Sequence, residues 1–133
     1  KVVCLKITNG VIIDAGSAIT VDIMKDGVHQ GGFILPGLQQ LKKNYPKISK
    51  KLKFDFDTKI DLNTLPLKTN DAINYAILQS ILLPIKNVIS KNDDIIFTGG
   101  DGKLLSKYFT NSKYKKNLIF DSLNQLLDKM PKI

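Results

Sequence analysis

At 133 residues, with 43% apolar and 24% charged side chains, the chain has the size and composition of one folded domain able to bury a core, which excludes a disordered tail. Its formal charge of +8 comes from lysine alone, scattered along the sequence with no arginine and no aromatic-basic stacking pattern. That argues against a specific nucleic-acid partner and leaves only nonspecific attraction to polyanions. With Cys4 as the only cysteine and His29 as the only histidine, a disulfide framework and a zinc constellation are excluded, and a reducing, cytoplasmic setting is expected.

The chain starts on Lys1 rather than Met, in what reads as a short helical or irregular lead-in, and is expected to be a fragment of a longer polypeptide. Cys4, among Val2, Val3 and Leu5, reads as a buried structural thiol. No apolar run reaches membrane-spanning length.

The organising stretch runs from Val11 to Asp22. An apolar run ends on Asp14, a Gly16-Ser17 turn follows, and Ile19, Val21 and Ile23 then alternate with Thr20 and Asp22, the pattern of a tight β-hairpin with polar atoms at its tip. Gly16 allows close approach of a ligand, so backbone N–H groups and the Ser17 hydroxyl can surround a phosphate while Asp14 holds a cation beside it. The same residues are also ordinary turn composition.

Asp26-Gly27 signals a turn, and Gly31 to Leu35 reads as a third strand stopped by Pro36-Gly37. His29 is read as a polar surface residue. A short helix is expected from Pro36 through Leu38, Leu41 and Tyr45, with the proline in its first turn. Residues 46–67 are lysine-rich, contain Phe54 and Phe56 and show no sustained period, so they are expected to form an irregular excursion of functional or mobile character.

Thr69 is expected to cap a long helix with Asp71 in its first turn; Ala72, Ile73, Ala76, Ile77, Ile81, Ile85, Val88 and Ile89 form its apolar stripe to about Ser90. Pro84 should bend it. The stripe reads as core, with a subunit contact as the other option. Asp94 to Thr98 reads as a buried strand running into Gly99-Gly100-Asp101-Gly102, and Lys103 to Phe109 as a helix. This turn either brings backbone N–H groups to an anion or simply joins strand to helix. A strand at Asn117 to Phe120 and a helix from Ser122 to Met130 close the chain.

The order of three strands, helix, strand, helix, strand, helix resembles one lobe of the α/β, ribonuclease H-like fold of actin, sugar kinases and the heat-shock chaperone ATPases, with a mixed sheet. Four segments narrow the resemblance: Asp14 to Asp22, Gly31 to Gly37, Thr69 with Asp71-Ala72-Ile73, and Thr98-Gly99-Gly100-Asp101. In that order and at that spacing they resemble the type III pantothenate kinases, also labelled Baf-type transcriptional activators. The resemblance implies a second, C-terminal lobe over residues 1–133, ATP and pantothenate as substrates, a homodimer, and K⁺ or NH₄⁺ together with Mg²⁺ and ATP.

Carried over residue by residue, the resemblance makes Asp14 the ligand of the monovalent cation, Ser17 the ATP contact and Thr69 the pantothenate contact. Gly16, Thr20 and Asp22 support the phosphate hairpin, and Gly99 and Gly100 lie toward the nucleoside. The family's Asp-x-Gly-Asn-Thr loop and its Gly-x-Asp-Arg motif, which supplies the catalytic base, are absent; aligned on the hairpin, Lys1 falls just after the latter. No residue here is therefore assigned as the base, and these 133 residues alone are expected to be inactive. The alternatives are a noncatalytic regulatory module of the same fold, a different kinase of the superfamily, or a basic nucleic-acid binder.

Overall fold

Asp26 and Gly27 both take positive φ, 52° and 74°, the backbone of a two-residue hairpin turn whose twist matches that of the strands it joins. In the computed structural model, which describes residues 7–116, this turn links β2 (Ala18–Lys25) to β3 (Val28–Pro36), and β1 (Gly10–Ala15) precedes them. β1 pairs antiparallel with β2 from Gly10 opposite Met24 to Ala15 opposite Ile19. The β2–β3 register slips once between Ile23 and Met24, near Gly31 at φ 112°.

β4 (Asp94–Thr98) lies parallel to β1, and β5 (Ser112–Tyr114) parallel to β4, giving a five-stranded mixed sheet in the order β3-β2-β1-β4-β5. Three helices complete the described chain: α1 (Leu38–Ile48), α2 (Thr69–Val88) and α3 (Gly102–Ser106), with a single 3-10 turn at Lys50–Leu52. The order of the described elements is thus βββααβαβ, with both helices expected before β4, one following Pro36 and one from Thr69, present.

Strand alternation sends Val11, Ile13 and Ala15 into the main core, against Ile73, Ile77, Leu78, Ile81, Leu82 and Ile85 of α2. Ile12 faces the other way and joins Ile7, Met24 and Ile96 in a smaller cluster. β1 is therefore apolar on both faces, except at Asp14. The stripe on α2 is spent inside the domain: Ile77 and Ile81 are each 1% exposed, so the expectation that this face could make a subunit contact is corrected to core.

Local boundaries differ from the reading of the sequence for identifiable reasons. Pro36 is the last residue of β3, opposite Ala18, because an edge strand tolerates a residue without an N–H; Gly37 takes the N-cap position of α1. Thr69 is the first helical residue rather than the cap, since Lys68 is still extended and its carbonyl accepts from Ala72 N at 2.8 Å. α2 runs through Pro84 to Val88, with Ile81, Leu82 and Ile85 buried around the proline. α3 ends at Ser106 because the next N–H groups bond three residues back: Lys107 to Leu104, Tyr108 to Leu105 and Phe109 to Ser106. Asn111, at φ 64°, then reverses the chain into β5. Cys4 and the expected strand at 117–120 and helix at 122–130 lie outside the described residues.

The excursion is more ordered than its composition implies. Leu52, Phe54, Phe56, Ile60 and Leu62 face the main core in strict alternation with exposed Lys53, Asp55, Asp57, Lys59 and Asp61. Its backbone polar groups are met by side chains rather than by a sheet ladder. Asn74, fully buried, accepts from Asp57 N at 2.9 Å and donates to Asp55 O at 2.8 Å; Asn70 accepts from Asp55 N at 2.7 Å, and Gln79 donates to Leu62 O at 3.1 Å. Residues 53–62 thus form an extended strap across α2.

Candidate functional site

The register of the sheet builds the site. Asp14 is paired with Thr20 on β2 and with Thr98 on β4, and Cα partners share a face, so a hydroxyl, a carboxylate and a second hydroxyl form one row across three strands. The row lies on the face of β1 turned away from α2. Asp14 is half-buried, and burial raises its carboxyl pKa above the ordinary value. Thr98 is 1% exposed.

Two glycine turns close around this row. At the tip of the β1–β2 hairpin, Gly16 N–H bonds back to Ala18 O at 3.1 Å and Ser17 stands exposed. The backbone of Gly37 presses on the carbonyls of Ser17 and Gly16 so closely that a Cβ there would collide with both. After β4, Gly99 sits at φ +88°, and a Cβ on it would fall 2.7 Å from Asp14 Oδ1 and from the Ala15 carbonyl. Gly100 faces open space.

The N–H groups that follow are already used. Asp101 N–H donates to Ala15 O at 3.0 Å and Gly102 N–H to Gly99 O at 3.1 Å. The glycine turn therefore locks β4 to the end of β1, and the N–H groups of Asp101 and Gly102 serve that junction. Gln39 of α1 reaches the same turn, donating to Asp101 Oδ1 at 3.4 Å.

The remaining residues singled out in the sequence take other positions. Asp22 lies one row further down the sheet, opposite Ile12 and Gly32, and pairs with His29 Nε2 at 2.8 Å. His29, read only as a surface residue, thus meets a site carboxylate beside a cleft of about 480 Å³ that also takes in Thr20 and Ile34. Thr69 is exposed in the first turn of α2, where its neighbours Lys68 and Asp71 line a cleft of about 530 Å³ with Asp57 and Asp61. A third cleft, of about 600 Å³, opens beside Gly100 between Thr58, Lys103, Lys107 and Tyr108.

The structure therefore gathers Asp14, Gly16, Ser17, Thr20, Gly99 and Gly100 at one end of the sheet, and leaves Thr69 exposed beside a separate cleft lined by Lys68 and Asp71. That cleft belongs to the same end: residues 89–93 link α2 directly to the start of β4, so the first turn of α2 points toward the carboxyl ends of β1 and β4. Reasoning on the sequence missed the parts played by Thr98, Gly37 and His29. Thr98 stood next to the glycine pair, but only the parallel register reveals that it faces Asp14.

Among the described residues no three His, Cys, Asp or Glu side chains converge as a metal site. One half-buried carboxylate flanked by hydroxyl-bearing residues instead suits a weakly held, oxygen-liganded cation. No helix among the described residues is long and apolar enough to cross a membrane.

Comparison with known proteins gives a consistent picture. The family model for type III pantothenate kinase matches residues 2–91. The chain is 45% identical over 129 residues to a type III pantothenate kinase of Helicobacter hepaticus, covering 97% of this chain and 62% of that protein. To the type III pantothenate kinase of Campylobacter jejuni it is 44% identical over 130 residues, covering 98% and 62%. The chain thus spans less than two thirds of the length of these relatives. Among solved structures, a Baf family protein from Campylobacter jejuni superposes with a TM-score of 0.84 at 42% identity, over 96% of this chain and 61% of the other. An ethanolamine utilization protein EutJ from Carboxydothermus hydrogenoformans, 16% identical with a TM-score of 0.52 over 92% and 51%, shares the actin-like fold alone.

Proposed function

The chain belongs to the type III pantothenate kinase family, and from that premise we propose that the full-length protein transfers the γ-phosphoryl group of ATP to pantothenate, giving 4'-phosphopantothenate, the first step of coenzyme A biosynthesis. The observation that supports this reading best is the row Thr20, Asp14, Thr98 held between two glycine turns, with Gly99 packed directly against the Asp14 carboxylate. Phosphoryl transfer asks a protein mainly for positioning and for stabilisation of charge.

In this reading the exposed Ser17, with Gly16 and Thr20, faces the phosphates of ATP, and Gly99 and Gly100 lie toward the nucleoside. Asp14 holds K⁺ or NH₄⁺, and Mg²⁺ accompanies ATP. Asp14 and Asp22 would otherwise repel a triphosphate, and burial makes the Asp14 charge costlier still. A bound cation supplies the charge that lets phosphate and carboxylate share the site. Thr69 contacts pantothenate in the cleft of Lys68 and Asp71, and Asp22, braced by His29, plays a supporting part. The catalytic base comes from the portion of the family's length that this chain does not span. The protein acts in the cytoplasm as a homodimer.

A coupled assay of ADP release tests the reading, using the full-length protein with pantothenate, Mg-ATP and K⁺, beside these 133 residues alone. Activity of the full-length protein that requires K⁺ and is absent from the shorter chain is the expected result. A full-length protein that binds ATP but leaves pantothenate untouched would favour a noncatalytic module, the alternative that the Baf name of the Campylobacter jejuni structure keeps in view.

A further inference from the structure

Two of the clefts share a wall. Along the strap, Asp57 and Lys59 line the cleft beside Lys68 and Asp71, while Thr58 between them lines the cleft beside Gly100. The strap thus runs between the two clefts at this point and gives adjacent residues to each. Whatever moves the Thr58 backbone moves both walls.

That backbone is held from two sides. Asp57 N–H donates to the buried Asn74 Oδ1 of α2 at 2.9 Å, and the Thr58 carbonyl accepts from Tyr108 Oη at 3.1 Å. Asn74 is packed in the core and fixes its end firmly. Tyr108 is half-buried beyond α3, just past the glycine turn, and lines the Gly100 cleft itself. A phenol is protonated at neutral pH, and burial raises its pKa further, so the hydroxyl is a donor there.

We propose that Tyr108 is a positioning residue that couples the two clefts: through its hydrogen bond to the Thr58 carbonyl, a nucleotide in the Gly100 cleft sets the Asp57–Lys59 wall of the cleft beside Lys68 and Asp71. The assignment of nucleotide and acceptor to these clefts rests on the function proposed above; the mechanical link rests on the strap alone. The partner that reads the link is the acceptor alcohol, whose affinity depends on whether nucleotide is bound. By linkage the effect is reciprocal.

The test compares wild-type and Tyr108→Phe forms of the full-length protein, by amide hydrogen exchange of residues 55–60 with and without Mg-ATP, and by the KM for pantothenate at low and saturating ATP. In the wild type, nucleotide should slow exchange in the strap and lower the pantothenate KM by about fivefold or more. In Tyr108→Phe the strap should no longer respond to nucleotide, and the pantothenate KM should rise by more than kcat falls and lose its dependence on ATP. Strap exchange that ignores nucleotide in the wild type, or responds equally in the variant, overturns the proposal even if the enzyme phosphorylates pantothenate. Exchange that responds to ATP only when the Tyr108 hydroxyl is present sustains the link even if pantothenate is not turned over, in which case only the function reading falls.

Discussion

The carboxylate of Asp14 and the backbone of Gly99 leave no room for a side chain between them: a Cβ on Gly99 would stand 2.7 Å from Asp14 Oδ1 and the same distance from the Ala15 carbonyl carbon and oxygen. Gly99 also has φ +88°, a region that L-residues avoid. Two independent requirements thus fall on one residue, and Asp101 N–H, bonded to Ala15 O at 3.0 Å, ties the same turn to β1.

Gly99→Ala should therefore destabilise the domain by about 2–4 kcal/mol, combining the cost of a left-handed backbone with that of overpacking against Ala15. Gly100→Ala, facing open space, should stay within about 0.5 kcal/mol of wild type. Urea unfolding of the two variants makes the comparison. Equal midpoints would show that the turn yields freely and does not lock β4 to β1.

Asp14 has the opposite relation to stability. Its carboxyl pKa is raised by burial, so between the ordinary carboxylate value of 3.8 and the raised one the folded state binds more protons than the unfolded state. Its contribution is fully favourable below pH 3.8 and is lost as pH rises through the folded value. Asp14→Asn should accordingly be at least as stable as wild type at neutral pH, with the difference vanishing in acid. If Asp14 holds a cation, K⁺ should raise the Tm of the wild type and leave the variant unmoved. A K⁺ response that survives in Asp14→Asn would place the cation elsewhere.

The hairpin, the long helix and the glycine turn were legible because each carries its signal locally: alternation in Ile19, Val21 and Ile23, helical spacing in Ile73, Ile77 and Ile81, and clustering in Gly99 and Gly100. What stayed hidden depended on partners far along the chain. The strap alternates as a strand does from Leu52 to Leu62, but the lysines and aspartates between its apolar residues look like loop composition, and its hydrogen-bonding partners are asparagine and glutamine side chains on a helix. β5 is three residues long, too short for any period to show. The meeting of Thr98 with Asp14 depends on parallel register, which no local pattern encodes. The full stripe on α2 could be seen, but whether it met the sheet or a second subunit could not.

That last choice leads to a mutational contrast on α2. Ile77 is 1% exposed and packs in the main core, whereas Leu83 on the same helix is 56% exposed. Ile77→Ala should cost about 2–4 kcal/mol in urea unfolding, from lost transfer energy and the cavity left behind. Leu83→Ala should cost no more than about 0.5 kcal/mol. Ile77→Ala should weaken the fold without shifting mass between oligomeric states in sedimentation. Loss of a dimer with unchanged unfolding would reverse the assignment of this face to the core.

Asn74 offers the sharpest test of how the strap is held. It is 0% exposed; its side-chain oxygen accepts from Asp57 N at 2.9 Å, and its amide nitrogen donates to Asp55 O at 2.8 Å and to Asn70 O at 3.0 Å. In Asn74→Ala the Asp57 N–H loses its side-chain acceptor, while the Asp55 carbonyl keeps the Asn70 amide at 3.3 Å and the apolar side chains of the strap keep their contacts, so the penalty is that of an unmet polar group, about 1–3 kcal/mol. Asn74→Asp separates the two halves of the network: the carboxylate can still accept from Asp57 N but sets negative charge against the carbonyls of Asp55 and Asn70. It should be as damaging as alanine near neutral pH and should recover as the pH falls and the carboxyl protonates, becoming a donor again. Limited proteolysis and amide exchange of residues 53–62 report where the loss falls. A strap that stays protected in both variants would mean that Phe54 and Phe56, packed against the core, and the bonds from Asn70, Gln79 and Tyr108 hold it without Asn74.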